Sequence, residues 1–234
     1  MRSLGPGWLA MIQIPRLYAI VDAGFFSDAD AMVAVAKQLV AGGCTLLQFR
    51  NKSGNARAML EQARELRRVF PRDQNPHFSQ TQGEGGHPVR DGSVRVIMND
   101  RADLCLTAGF DGVHVGQDDL SAEAVRAIIG PDLWLGVSTH NPEQLHEADL
   151  TSADYLAIGP VFATSSKENP DPVVGLEGVR RARSLTRKPL VAIGGITRAT
   201  AASVIEAGAD SVAVISDLLR EPRKSAEEFL RILG

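Results

Sequence analysis

Three stretches, "AGGCTLLQF" (residues 41–49), "AGFDGVHV" (108–115) and "AGADSVAV" (207–214), repeat one pattern along the chain. In each, an amphipathic run closes on Ala-Gly, and an apolar run of strand length begins within one to three residues. Glycine suits the position just past a helix, where the left-handed backbone conformation costs other residues a Cβ clash. A helix that delivers the chain straight into a buried strand is one half of a βαβ unit, and such crossovers pair their strands in parallel.

Outward from these junctions, short apolar runs predict strands at 17–21, 45–49, 94–98, 112–115, 133–137, 154–158, 189–193 and 210–215. Helical periodicity lies between them, first in "SDADAMVAVAKQLVAGG", where Ser27 is the expected N-cap. Further helical patterns fall at 55–70 and near 101–109, 121–129, 141–149, 176–185, 197–207 and 224–233. Most of the strands read as continuous apolar runs, as expected where both faces are covered. Eight strands and eight helices in strict alternation predict an α/β fold, a single-domain TIM (β/α)8 barrel. No G-x-G-x-x-G follows the first strand, which argues against an open dinucleotide-binding sheet.

Composition narrows the function classes. The 234 residues are 44% hydrophobic and carry a formal charge of −3, which offers no electrostatic basis for binding nucleic acid or an anionic membrane. No apolar run is long enough to span a bilayer. Cys44 and Cys105 sit far apart in apolar contexts and read as reduced core thiols, pointing to a cytoplasmic protein. Residues 1–15 read as a loose extension whose apolar stretch is broken by Gly5, Pro6 and Gly7, unlike a signal peptide, and Met11 is an alternative start. The catalytic barrel is assigned to 16–234. Residues 71–93, rich in Pro, Gly and Ser, read as an inserted loop between a helix and a strand, and so on the face away from chemistry. His77 and His87 within it read as solvent-exposed loop residues.

Barrel active sites form where strands end at their C-termini, so the polar residues following each apolar run matter most. Strand 2 ends with Gln48, Arg50 and Lys52; strand 3 with Asn99 and Asp100; strand 4 with "HVGQDD". Strand 5 ends in "GVSTH", and strand 6 runs into a loop holding Thr164, Ser166 and Lys167. An arginine fork beside lysines and hydroxyls suits a multi-oxygen anion. Asp100 together with Asp118–Asp119 suits Mg²⁺, which takes one or two carboxylates plus water and phosphate oxygens, although either aspartate of the pair could instead cap the helix near Ser121. Gly194, Gly195 and Ser216, after strands 7 and 8, occupy the place where barrels bind a monophosphate through backbone N–H groups. No nucleophile with a matching base stands out, so the expected chemistry is electrostatic rather than covalent.

Taken jointly, "QFRNK", "NDRADL", "GVHVGQDD", "GVSTH", "DYLAIGPVFATSSK", "AIGGI" and "VAVIS" resemble the thiamine phosphate synthase family over about residues 17–220. The resemblance implies a transferase that joins a hydroxymethylpyrimidine diphosphate to a thiazole phosphate with loss of pyrophosphate, by a dissociative, Mg²⁺-assisted route. It implies that Gln48, Arg50, Lys52, Asn99, Ser138, Thr164, Ser166 and Lys167 contact the pyrimidine diphosphate, with Arg50, Lys52, Ser138 and Lys167 as the catalytic set. Asp100 and Asp119 would bind Mg²⁺, and Gly195 and Ser216 the thiazole phosphate. Tyr18, His114 and Gln117 would shape the pyrimidine pocket. Two positions depart from the family pattern, Asn51 for a glutamate and Ala163 for a proline, and neither removes a ligand-contacting group. A homodimer is compatible with the resemblance. The alternatives are a thiazole tautomerase using His140 as a base, which would not need the Arg50, Lys52, Asp100 and Asp119 cluster, and a non-catalytic phosphate-binding barrel.

Overall fold

A computed structural model describes residues 12–72, 93–164 and 171–234. Most of the expected extension and of the expected insertion at 71–93 lies outside the described residues, as do Ser166, Lys167, His77 and His87. Eight parallel strands close into a barrel in sequence order. They are β1 (Leu17–Asp22), β2 (Leu46–Arg50), β3 (Arg95–Asn99), β4 (Gly112–Val115), β5 (Trp134–Thr139), β6 (Tyr155–Ile158), β7 (Leu190–Ile193) and β8 (Ser211–Val214). The surrounding helices are α1 (Ala29–Ala41), α2 (Ala56–Val69), α3 (Ala102–Ala108), α4 (Ala122–Ile129), α5 (Pro142–Asp149), α6 (Gly175–Leu185), α7 (Ala201–Glu206) and α8 (Pro222–Leu233).

Two cores follow from the strand alternation. Residues pointing outward, among them Ala19, Leu47, Val96, Val113, Leu135 and Leu156, join the helices' apolar faces in one large cluster. Residues pointing inward, including Tyr18, Ile20, Leu46, Ile97, Tyr155 and Val191, fill the barrel itself. Cys44 and Cys105 are buried free thiols, and burial pushes them up to about 11 and about 12, so both stay protonated and unreactive near neutral pH.

Local chemistry shifts two expected boundaries. Asp28, not Ser27, caps α1 by accepting from Ala31 N at 2.8 Å, while the Ser27 hydroxyl donates to the Asp28 carboxylate. Helix α7 begins at Ala201 rather than near 197, because the Thr200 hydroxyl takes the Thr197 N–H at 3.0 Å and holds those residues in a turn.

The face holding the strands' N-termini is closed by a device used three times. Asp111, Asp154 and Asp210 each stand just before an even-numbered strand. Each donates its N–H to the carbonyl of Val96, Leu135 or Leu190 on the preceding strand. Its carboxylate accepts the N–H of that same residue, at 2.8, 2.7 and 2.8 Å respectively. Arg67, Arg126 and Arg183, from α2, α4 and α6, donate to those carboxylates at 2.7–2.8 Å. Each guanidinium also donates to carbonyls in the loop after its own helix, those of Phe70, of Gly130 and Leu133, and of Thr186 and Lys188.

Candidate active site

The opposite end of the barrel opens into a cavity of about 450 Å³. Strand ends and the loops after them deliver nearly every expected side chain to it: Tyr18, Gln48, Arg50, Lys52, Asn99, Asp100, His114, Gln117, Asp119, Ser138, Thr164, Gly195 and Ser216 all line it. Ser166 and Lys167, expected on the same loop as Thr164, lie outside the described residues. Asp118 also faces the cavity, and Ser121 rather than either aspartate caps α4, accepting from Ala124 N.

The rim is charged. Arg50 ends β2 beside Asp22, which ends β1 in register with it, and the two are ion-paired. Asp22 went unnoticed in the sequence because the partnership depends on strand register. Lys52 Nζ lies 2.5 Å from Asp100 Oδ2. Burial is the main influence raising the Asp100 carboxyl; the Lys52 ammonium opposes it, and the adjacent Asp119 carboxylate adds to it. Asp100 has φ of +63°, alone among the described non-glycine residues in taking the left-handed region. Aspartate tolerates that conformation better than most residues, yet such backbone is sparsely populated and clusters at functional sites. Asp119 folds back over its own turn and accepts from Gly116 N at 2.8 Å.

Beneath the rim the lining is neutral and polar. Gln48 Nε2 donates to Tyr18 Oη at 2.9 Å, Tyr18 Oη lies 3.0 Å from Tyr155 Oη, and Tyr155 Oη lies 3.1 Å from His114 Nδ1. His114 Nε2 lies 2.7 Å from Ser138 Oγ, and Gln117 Nε2 donates to the Ser138 carbonyl at 2.6 Å. Burial lowers the His114 imidazole to about 4, with the negative charge of Asp119 a smaller opposing influence, so the ring is neutral at pH 7. Burial also raises both tyrosine hydroxyls, which stay protonated. The Asn99 amide nitrogen is buried with no hydrogen-bond partner among the described residues, leaving a donor for a ligand. Tyr155 is the first residue of β6, at the opposite end of the strand from the residues that the strand-end criterion inspects; that it is one of just two tyrosines in the sequence was the available signal.

At the far side, Gly194 and Gly195 follow β7 with φ of +100° and +63°. A Cβ on Gly194 would meet Pro160 Cα at 2.6 Å, and one on Gly195 would meet the Ala163 carbonyl oxygen at 2.4 Å. These glycines therefore admit the loop after β6 as well as leaving backbone open to the cavity. Ser216 opens a short 3-10 helix, Ser216–Leu218. His140 donates from Nδ1 to the Gly159 carbonyl at 2.6 Å and faces Asp171 Oδ2 at 3.5 Å.

A closed (β/α)8 barrel whose charged and polar groups converge at the C-terminal mouth defines a barrel enzyme. The thiamine monophosphate synthase family profile matches residues 17–78 and 85–218. The thiamine-phosphate synthase of Koribacter versatilis is 56% identical over 225 residues, 95% of this chain and 97% of that one. That of Chloroflexus aurantiacus is 41% identical, covering 86% of this chain and 83% of its own. The solved structure of a thiamine phosphate pyrophosphorylase from Pyrococcus furiosus superposes with a TM-score of 0.75 at 31% identity, over 93% of this chain and 95% of that one. The chain belongs to the thiamine monophosphate synthase family.

Proposed function

We infer that this chain is the transferase of its family: it condenses 4-amino-5-hydroxymethyl-2-methylpyrimidine diphosphate with 4-methyl-5-(2-hydroxyethyl)thiazole phosphate, giving thiamine phosphate and pyrophosphate. The observation that carries this reading is the charged rim, with Arg50, Lys52, Asp100 and Asp119 gathered on one side of a cavity whose floor is neutral. A diphosphate needs the rim, and a cationic pyrimidine-methyl group needs a floor without a protein nucleophile.

Arg50, Lys52, Thr164, Ser166 and Lys167 hold the diphosphate. Asn99 and Gln48 offer amide groups to the pyrimidine, and Tyr18, His114 and Gln117 shape its pocket. The carbon–oxygen bond between the pyrimidine methylene and the diphosphate breaks, and its electron pair leaves with pyrophosphate. The thiazole nitrogen lone pair then closes the new carbon–nitrogen bond. Backbone N–H groups at Gly195 and the Ser216 hydroxyl hold the thiazole phosphate. The fixed cations Arg50 and Lys52 favour the charge that develops on the leaving group, and the neutral His114 adds no positive charge beside the carbocation.

Asp100 and Asp119 fit Mg²⁺, because two carboxylates stand together and both burial and the neighbouring Asp119 carboxylate penalise the charge on Asp100. Among the described residues no three or more His, Cys, Asp or Glu side chains form a metal cage, so the remaining ligands would be water and diphosphate oxygens, as Mg²⁺ prefers. When bound, Mg²⁺ supplies positive charge to the departing pyrophosphate. Incubating the purified chain with both substrates and Mg²⁺ and measuring thiamine phosphate is the direct test. Folded protein that forms no product overturns the reading.

A further inference from the structure

We propose that Tyr155 is a positioning residue: through a one-way hydrogen-bond chain starting at Gln48, it fixes His114 as the Nε2–H tautomer and turns the Ser138 hydroxyl hydrogen towards the cavity. The role of Ser138 as a donor to a diphosphate oxygen rests on the function inferred above; the tautomer does not.

The chain exists because of a missing side chain. His114, Gly136 and Tyr155 stand side by side in register on β4, β5 and β6. A Cβ at Gly136 would lie 2.1 Å from Tyr155 Cζ and 2.4 Å from His114 Nδ1. Glycine in the middle strand is the window through which the two rings stack, with centroids 5.5 Å apart, and share a hydrogen bond at 3.1 Å.

Counting hydrogens gives the direction. The Gln48 amide nitrogen can only donate, so Tyr18 Oη accepts from it. Tyr18 is 1% exposed and has one hydroxyl hydrogen, for which Tyr155 Oη, 3.0 Å away, is the acceptor the structure provides. Tyr155, fully buried, then has His114 Nδ1 as the acceptor for its own hydrogen. A neutral imidazole carries one ring proton, so with Nδ1 accepting, that proton sits on Nε2 and is donated to Ser138 Oγ at 2.7 Å. With Oγ already accepting, the serine hydrogen is free to point into the cavity that Ser138 lines. Among the described residues, the opposite direction would leave the Tyr18 hydrogen buried without an acceptor, a costly state.

The test is the ring-nitrogen NMR spectrum of ¹⁵N-histidine-labelled, ligand-free protein at pH 7, with the His114 signals assigned by their loss in His114→Asn. Nε2 protonated and Nδ1 bare is the expected result; a proton on Nδ1 overturns the proposal without reference to activity. Ser138→Ala, which keeps the tyrosine donor, should preserve the Nε2–H form, and a switch to Nδ1–H there would also overturn it. In Tyr155→Phe the Nδ1 signal should move, and kcat for thiamine phosphate formation should fall about tenfold, one hydrogen bond's worth, with KM little changed. An unmoved Nδ1 signal together with unchanged kcat would sink the assignment. If wild-type protein makes no product, the inferred function fails while the spectrum still decides the tautomer.

Discussion

The two ends of the barrel treat charge in opposite ways. At the end holding the strands' N-termini, Asp111, Asp154 and Asp210 each face an arginine and a backbone N–H, and each arginine also donates to a carbonyl in the loop after its helix. At the mouth, Asp100 is half-buried, bent into left-handed backbone, and set beside a second carboxylate with one lysine between them and neutrality. The same residue type is satisfied at one end and frustrated at the other. A fold can retain such conflict where a ligand relieves it, which is why the frustrated end reads as the working one.

Asp111→Ala should give the largest effect. It strands the largely buried Arg67 guanidinium and an amide, so unfolding stability should fall by about 3–5 kcal/mol in a denaturant titration, with kcat/KM of the remaining folded enzyme unchanged. Asp100→Asn should do the reverse. Asparagine also tolerates left-handed backbone, so the melting temperature should hold while turnover drops roughly 10²–10³-fold in a product assay. If both variants lose stability alike, the contrast between the ends is wrong.

A third measurement probes the neutral floor. His114 is lowered from its ordinary value to about 4, so the unfolded chain binds a proton that the folded one refuses. The associated stability is complete above about pH 6.5 and drains away as pH falls towards 4, a change of about 3 kcal/mol. Denaturant titrations at pH 7 and pH 4 should show that loss in wild type and a smaller one in His114→Gln. The smallest effect belongs to Asp210→Ala, whose carboxylate is 46% exposed; about 1 kcal/mol is expected, which would rank this clamp below that of Asp111 by burial.

Much of this was legible in the residues. Eight largely apolar runs closed by glycine or polar clusters marked the eight strands, because a strand covered on both faces leaves few polar positions. Reading the residues after each run found Arg50, Lys52, Asn99, Asp100 and Asp119 together. What escaped depends on register or distance. Gly136 acts mid-strand and Tyr155 at the start of its strand, and Asp22 matters only once β1 lies against β2. The clamp aspartates stand in plain view before their strands, but their arginine partners are 44, 28 and 27 residues upstream, on helices whose phase the sequence does not disclose. Ser27 lost the cap to Asp28 because either neighbour could supply the oxygen.

The threefold clamp also bears on how the chain is born. Each clamp joins residues fewer than fifty positions apart, so each can close soon after its own segment leaves the ribosome. Closing the ring is different: Val212 of β8 must find Arg16, beside the first strand, across almost the whole chain. The cavity draws its walls from both sides of that seam, Tyr18 on one and Ser216 on the other. Nascent chains would thus carry a fastened base long before they own a binding pocket, and activity would arrive in one step with the eighth strand.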